Sequence, residues 1–272
     1  MHLIDTHCHL NLMTKKTFDT PLSAEEIHAT QEIIGAASSK MVTKIINVGT
    51  SVIESQNCIA LAKKYSSVSA VVGIHPTDCT STWKKDFEQI KKWAQEKKQH
   101  KVVGIGECGL DFYHKPYDLE RQKDAFKAHI ELALAHDLAL VVHSRDAYDE
   151  TLHILEEYKN DAIKGIIHCF SYDLAFAQTV HAWNFVLGIG GAITYPKNQQ
   201  LRDVVLGMPL LSLVLETDAP FLPIQSMRGK QNHPQYIYDI ALYIAQLLGI
   251  SYDEVASQTS KTSELIFGLS NI

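Results

Sequence analysis

The sequence lacks any apolar stretch that is long enough to cross a lipid bilayer. It begins with an apolar run, without the basic segment and cleavage site of a secretion signal. It also lacks C-x-x-C pairs, and its five cysteines leave an odd one over. These absences argue against a membrane-spanning protein and a disulfide-rich scaffold, so we expect a cytoplasmic protein.

The sequence also has no excess of positive charge. It contains 25 Lys and Arg against 31 Asp and Glu, which gives a formal net charge of −6. The composition therefore gives no global indication of nucleic-acid binding, which normally shows as a basic face. An acidic enzyme can still act on nucleic acid where metal ions and a small basic rim supply positive charge. No linker, solenoid repeat or low-complexity segment interrupts the chain, which predicts one domain over residues 1–272. The oligomeric state is not defined by the sequence, and a monomer is compatible with it.

What the sequence does contain is a series of apolar, β-branched runs separated by helical patterns. Near-continuous apolar character is typical of parallel strands that are buried on both faces. The predicted strands are residues 3–6, 44–48, 69–73, 101–105, 138–142, 165–167, 185–189 and 212–216. The predicted helices are residues 51–65, 84–97, 119–136, 147–158, 174–182, 234–248, 251–258 and 261–267. This alternation predicts an α/β fold, a (β/α)8 TIM barrel, with an open doubly wound sheet as the alternative.

Metal-type residues stand at the C-terminal ends of five predicted strands. They are His7 and His9 on the first strand, Glu107 on the fourth, His143 on the fifth, His168 on the sixth and Asp218 on the eighth. In a barrel of parallel strands these ends meet on one face, which carries the active site. Five such coincidences favour a metal-dependent hydrolase over isolated core histidines and helix caps.

The H-x-H pair indicates one metal site, because side chains two apart on a strand point to the same face. His7 and His9 can therefore bind one divalent cation together with Glu107 and Asp218. A carboxylate has two oxygens, so one of these acids can bridge to a second ion. Two ions of this kind activate a water and stabilise the attacking and leaving oxygens of a phosphoryl displacement.

His143 and His168 are the predicted histidine ligands of the second ion. The mixture of histidines and carboxylates suits Zn²⁺ or Mn²⁺, and Mg²⁺ where waters complete the coordination shell. We expect Glu107 and Asp218 to be catalytic, with Asp218 accepting the proton of the water.

Cys8, Cys108 and Cys169 each adjoin a proposed ligand. A thiol ligand is one interpretation of these positions. Strand alternation favours the other, in which the three thiols point away from the barrel mouth and pack in the core.

Three cationic residues are predicted on the same face as the metals. Arg145 follows the fifth strand, and Arg228 and Lys230 lie in the loop after the eighth. Arginine offers a planar fork that suits phosphate oxygens, and lysine offers a point charge. The alternative for Arg145 is an ion pair with a nearby acid such as Asp111 that serves only to hold the loop.

Aromatic residues near the strand ends, among them Tyr113, Tyr172 and Phe221, are candidates for stacking on nucleobases. Phe170 is better interpreted as a plug at the top of the barrel.

Seven segments in chain order resemble the TatD family of metal-dependent deoxyribonucleases, within the amidohydrolase-like superfamily. The segments are IDTHCHL at 4–10, GIHP at 73–76, GECGLD at 106–111, HSRDA at 143–147, HCFS at 168–171, ETDAPFL at 216–222 and RGKQNHP at 228–234. The resemblance implies that Glu107 bridges the two metals and that His75 is a pocket histidine near the substrate. It further implies metal-dependent hydrolysis of DNA, often from the 3′ end of single strands. Tyr172 departs from the family pattern, which has glycine there, and leaves substrate preference open.

Two other functions are compatible with these residues. One is hydrolysis at a carbon centre, as in D-aminoacyl-tRNA deacylases or other ester and amide hydrolases of the superfamily. Many C–N hydrolases of that superfamily bridge their metals with a carboxylated lysine, whereas this chain has Glu107 at the bridging position. The other is a binding protein without activity, against which the complete ligand set argues.

Overall fold

Eight parallel strands form a single sheet in the computed structural model, which describes residues 2–15 and 17–269. The strands follow one another around the sheet in chain order. They are β1 Leu3–Cys8, β2 Val42–Val48, β3 Val68–Val72, β4 Val102–Asp111, β5 Ala139–Arg145, β6 Gly165–Ile167, β7 Phe185–Ile189 and β8 Leu213–Leu215. Each of them overlaps one of the eight predicted apolar runs.

The ends of the sheet meet, so that the strands form a (β/α)8 barrel. Cys8, the last residue of β1, forms a parallel bridge with Ala219, which follows β8. Beside it, the Asp218 amide donates to the His7 carbonyl at 2.9 Å, and the His9 amide donates to the Ala219 carbonyl at 2.8 Å. The predicted TIM barrel is therefore confirmed, and the open sheet is excluded.

Helices connect the strands and form the outer layer. They are α1 Leu10–Met13, α2 Ala24–Ser39, α3 Val52–Lys64, α4 Trp83–Gln95, α5 Lys97–His100, α6 Leu119–His136, α7 Tyr148–Glu157, α8 Leu174–Ala182, α9 Gln199–Gly207, α10 Ile237–Leu248 and α11 Tyr252–Phe267. Polar caps begin several of them. At the start of α2, for example, Ser23 and Glu26 form a reciprocal capping box.

Helices α1, α2 and α9 escaped prediction, and α5 overlaps a predicted helix only at Lys97. Two other predicted helices proved to be one, α11. The buried residues of α2 are Thr30 and Ala37, so that helix shows little apolar periodicity. Helix α9 is short, and a short apolar pattern indicates a helix only weakly. The predicted break at 259–260 is absent, since α11 runs without interruption from Tyr252 to Phe267. The Thr259 hydroxyl donates to the Val255 carbonyl at 2.8 Å within that helix, so this polar side chain is satisfied there.

Two predicted strand ends also need correction. Glu107 and His143 do not end their strands, because β4 continues to Asp111 and β5 continues to Arg145. The register of this pair shifts between Ile105 and Cys108 and then resumes. The β4–β5 ladder thus rises above the rest of the barrel and carries both residues on its inner wall.

The apolar core has two parts. A small cluster fills the barrel interior and includes Ile4, Val71 and Val103, with Phe267 from the end of α11 packed against it. The larger cluster lies between the strands and the surrounding helices. Among residues 2–15 and 17–269, no helix is both long and apolar enough to cross a membrane.

Candidate metal-binding active site

The predicted metal-type residues converge at the carboxyl ends of the strands. His7 and His9 face one another there, with their Nε2 atoms 3.2 Å apart. Glu107 Oε2 lies 3.4 Å from His7 Nε2 and 3.7 Å from His9 Nε2. Asp218 Oδ1 lies 3.3 Å from His9 Nε2 and 3.8 Å from His7 Nε2. Two imidazoles and two carboxylates therefore surround one point, as the H-x-H spacing predicts.

The other oxygen of Glu107 faces a second group of histidines. Glu107 Oε1 lies 2.8 Å from His143 Nδ1, 3.5 Å from His168 Nε2 and 3.6 Å from His75 Nε2. The potential ligand atoms of Glu107, His143 and His168 all lie within 4.8 Å of one another. One carboxylate thus separates two groups of potential metal ligands.

The first group fits a divalent metal ion. Ligands that surround zinc tetrahedrally at about 2.0–2.2 Å are about 3.3–3.6 Å from one another. His7 and His9 lie 3.2 Å from each other and 3.3 to 3.8 Å from the oxygens of Glu107 and Asp218. A carbonyl can only accept, so His9 must donate its Nδ1 proton to the Val48 carbonyl at 2.8 Å. That bond leaves a lone pair on Nε2, which is the form of histidine that binds metals.

Two buried carboxylates, which the sequence analysis did not single out as site residues, lie behind the second group of histidines. Asp111 Oδ2 is 3.0 Å from His143 Nε2, on the side of the ring away from Glu107. Glu216 Oε1 lies 3.1 Å from His168 Nδ1 as an ion pair, not as an aligned hydrogen bond. Such outer carboxylates orient metal-binding rings and make them more basic.

Neighbouring residues leave space for these carboxylates and donate hydrogen bonds to them. A side chain at Gly188 would overlap the Glu216 carboxylate, so glycine leaves the space that Glu216 occupies. Asp111 also accepts from the amide and from Nδ1 of His114, at 2.8 and 2.9 Å. Asp111 therefore pairs with His143 and His114 and not, as one interpretation had it, with Arg145.

The electrostatic field of the site favours cations. Burial lowers the pKa of His168, but Glu216 and Glu107 outweigh burial and raise it to about 10. Burial opposes ionisation of Glu107, yet the charges of His168 and His7 hold its pKa well below the usual range. A field that keeps a proton on a buried imidazole also favours a divalent metal ion.

A cavity of about 570 Å³ opens above these groups and is large enough for a nucleotide-sized ligand. Five acidic residues line it, namely Asp19, Glu54, Asp78, Glu107 and Asp218. Among the residues that the structure describes, Arg145 is the only Lys or Arg in this lining. An anionic substrate therefore depends on bound cations to enter.

The four predicted substrate-binding residues are placed differently. His75 lines the cavity, and its Nδ1 is held by the Thr77 hydroxyl at 2.6 Å. Arg145 also lines it, with the guanidinium 4.0 Å from the centre of the Tyr113 ring. Arg228 and Lys230 are exposed and are not among the described residues that line the cavity.

Arg228 packs on the Tyr195 ring, 4.5 Å from its centre. An arginine in this position can reach only a substrate that extends beyond the cavity. The roles of Arg228 and Lys230 in substrate binding stay predictions.

Two aromatic residues of the upper barrel, Tyr172 and Phe170, have structural roles. The Tyr172 ring stacks on Phe176 with centroids 4.4 Å apart, and its hydroxyl contacts the Ser144 hydroxyl at 2.8 Å. The same hydroxyl accepts from the Ala147 amide at 3.2 Å, so Tyr172 braces the turn that presents Arg145. Phe170 is buried against Phe176, as expected of a plug.

The cysteines next to the ligands divide into two kinds. Cys8 and Cys108 are buried, and their thiols point to the carbonyls of Ala219 and Val141 at 3.8 and 3.7 Å. Cys169 is partly exposed, and its sulfur lies within 4.8 Å of ligand atoms of His168 and Asp218. The packing interpretation is therefore wrong for Cys169, because this residue adopts a positive φ of 46° after β6 and leaves the strand alternation.

Comparison with known proteins agrees with this geometry. Residues 4–268 match the family described as TatD related DNase. The chain belongs to the TatD family. As a TatD-family member it is a metal-dependent hydrolase, which fits the two groups of ligands at the barrel mouth.

The TatD-family relatives cover almost the whole chain. It is 33% identical to the uncharacterized metal-dependent hydrolase YabD of Bacillus subtilis, over 97% of this chain and 98% of that one. It is 30% identical to the 3′-5′ ssDNA/RNA exonuclease TatD of Erwinia amylovora, over 88% of this chain and 93% of that one. The crystal structure of YjjV, a TatD homologue from Escherichia coli, is 30% identical, covers 98% of both chains and superposes with a TM-score of 0.86.

Proposed function

We propose that this TatD-family hydrolase is a two-metal deoxyribonuclease that acts at the 3′ end of single-stranded DNA. The observation that carries the proposal is the division of the Glu107 carboxylate between two groups of histidines. A carboxylate in that position would suit a pair of divalent ions, which many phosphodiesterases use. The similarity to an enzyme named 3′-5′ ssDNA/RNA exonuclease supports the substrate and the polarity.

The proposed ligands follow from the two groups. His7, His9, Glu107 and Asp218 would hold the first ion, and Glu107, His143 and His168 would hold the second. Zn²⁺, Mn²⁺ and Mg²⁺ are the candidates, since the donors are nitrogen and oxygen. When bound, the ions supply the charge that admits a phosphodiester to this acidic cavity and that activates a water.

Asp218 is the proposed proton acceptor. It lines the cavity, so a water that attacks a substrate phosphorus can reach it. Burial raises the pKa of its carboxyl, but the interaction with His9 and the charges of His168 and His7 outweigh burial and lower it. Asp218 is therefore ionised at neutral pH and can take the proton of the attacking water.

Two further residues would bind the phosphate. Burial and the His143 ring lower the pKa of His75 to about 3, so His75 is neutral at physiological pH. With Nδ1 held by Thr77, its Nε2 can contact a phosphate oxygen. Arg145 would add a charged fork, which its position over Tyr113 holds in place.

A cytoplasmic location remains part of the proposal. All five cysteines lie in the described ranges and are unpaired, as is usual in a reducing compartment.

The test is hydrolysis of 3′-labelled single-stranded DNA by the purified protein with Mg²⁺, Mn²⁺ or Zn²⁺. We expect stepwise shortening from the 3′ end that a chelator stops. Asp218→Asn should abolish shortening, whereas Asp161→Asn, at an exposed acid outside the cavity, should leave it unchanged. An enzyme that leaves DNA intact but cleaves a D-aminoacyl-tRNA ester would overturn the proposal in favour of the deacylase.

A further inference from the structure

Apolar side chains are exposed at the mouth of the catalytic cavity. Phe18 is 63% exposed, Phe221 is 48% exposed and Leu222 is 40% exposed, and all three line that cavity. Single exposed apolar residues are common on protein surfaces, but a group beside an active site indicates contact with a ligand. The loop of Phe18 follows β1 and the loop of Phe221 follows β8, so the two aromatics come from adjacent parts of the barrel.

The loop that carries Phe18 is held by a buried carboxylate. Glu54, on α3, is 2% exposed. Its Oε1 accepts from Lys15 Nζ at 2.6 Å and from the Asp19 amide at 2.8 Å. Lys15 before Phe18 and Asp19 after it thus both donate hydrogen bonds to the same oxygen of Glu54.

Further bonds complete the restraint. Lys15 Nζ also donates to the Thr20 carbonyl at 2.6 Å, and the Ser51 hydroxyl donates to Asp19 Oδ1 at 2.8 Å. The loop is therefore fixed to the scaffold while the Phe18 side chain remains in solvent. Fixing an aromatic ring in water brings no gain in burial, so the arrangement calls for a ligand that covers the ring.

The surroundings of Phe18 suit a base better than a phosphate. Asp19, next to Phe18, also lines the cavity and would repel the sugar–phosphate backbone. The Phe221 ring packs edge-on against His9, with centroids 6.0 Å apart, and so borders the first group of ligands. Arg145, the proposed phosphate contact, comes from β5, which lies across the ring of eight strands from β1.

We propose that Phe18 and Phe221 form a stacking platform for an unpaired nucleobase adjacent to the scissile phosphate, and that Glu54 positions Phe18. This inference rests on the proposed action on single-stranded nucleic acid. A platform of this kind accepts any base, since every base has a flat π-face. It also explains a preference for single strands, because the bases of a duplex are already stacked.

The experiment compares Phe18→Ala with the wild-type enzyme on two substrates. They are a single-stranded oligonucleotide and the same oligonucleotide with abasic residues at its 3′ end. We expect kcat/KM for the base-bearing oligonucleotide to fall about 5- to 150-fold, the range for one lost stacking contact. The abasic oligonucleotide should be hydrolysed equally by both enzymes, and metal content should be unchanged.

Matched variants separate stacking from other roles. Phe18→Trp should keep the preference for base-bearing DNA, and Leu211→Ala, at an exposed residue outside the cavity lining, should change nothing. Glu54→Gln should reduce the ratio of base-bearing to abasic hydrolysis without loss of metal, because the loop is held less firmly.

The outcomes distinguish this inference from the proposed function. Equal wild-type rates on base-bearing and abasic DNA would leave a nuclease without the platform and overturn the inference alone. Equal losses on both oligonucleotides in Phe18→Ala would show that Phe18 supports the loop and does not stack. A wild-type enzyme that hydrolyses neither oligonucleotide would refute the nuclease and the platform together.

Discussion

The two ends of the barrel are built from the same eight strands and have opposite chemistry. At the base, Ile4, Val103 and their neighbours fill the interior, and Phe267 packs close to Val71 and Gly104. At the mouth, the same strands present histidines and carboxylates whose burial is costly unless they are paired or bind a cation. The base therefore stabilises the fold, and the mouth is free to carry chemistry. Changes at the two ends should separate activity from stability.

The largest expected effect is at the mouth. Glu107→Gln removes the negative charge that both groups of histidines share. We expect activity to fall by several orders of magnitude and metal content to fall by at least one ion. Activity assays and metal analysis of one preparation check this. Full activity in the variant would place the chemistry elsewhere.

The base should show the reverse pattern. Phe267 is 5% exposed, and Phe267→Ala should lower the free energy of unfolding by about 3–5 kcal/mol, the usual effect of a large buried cavity. The metal affinity of the folded enzyme should be unaffected. The control is Leu265→Ala on the same helix, since Leu265 is 69% exposed. A comparable loss of metal affinity in Phe267→Ala would mean that the two ends are not independent.

A change at Glu216 tests whether a carboxylate behind the histidines also affects metal binding. Glu216→Gln keeps the size of the side chain but removes the charge beside His168. We expect metal affinity to fall about 10- to 100-fold, as for other outer partners of metal-binding histidines. Chelator competition measures the change, with the exposed Glu120→Gln as the control. Unchanged affinity would show that Glu216 only fills the space beside Gly188.

The smallest expected effect concerns His129, which links the helix layer to the mouth. Its Nε2 accepts from the Ile74 amide at 3.1 Å, and its Nδ1 contacts the Ala125 carbonyl at 2.7 Å. Burial lowers the pKa of His129 from 6.5 to about 4, so the unfolded chain binds this proton more readily. Stability is therefore lost as pH falls below about 6.5, by about 1.4 kcal/mol at pH 5.5.

The matched variant for His129 is His129→Gln, which keeps one acceptor and one donor but does not titrate. Denaturant unfolding of the metal-free protein should show a shallower loss of stability between pH 7.5 and 5.5. His28→Gln, at an exposed histidine on α2, is the control. An identical pH profile in wild type and His129→Gln would contradict the assignment.

Much of the fold was predictable because each strand can be identified from its own local sequence. Buried parallel strands are continuous apolar runs, and all eight predicted runs overlap observed strands. Helix α2 was not predictable in this way, since of its 16 residues only Thr30 and Ala37 are buried and it has no continuous apolar face. The extension of β4 to Asp111 was missed because the register shift after Ile105 is a property of the β4–β5 pair, not of either segment.

The sequence by itself determined the barrel, the set of metal-type residues and the expectation that they meet, because strand periodicity and topology follow from the order of residues. Only the tertiary structure decided which oxygen of Glu107 faces which histidines, since that depends on four strands at once. The same holds for Glu216 behind His168 and for Glu54 beneath the Phe18 loop. Each of these contacts joins residues far apart in the chain, and local sequence carries no record of such pairings.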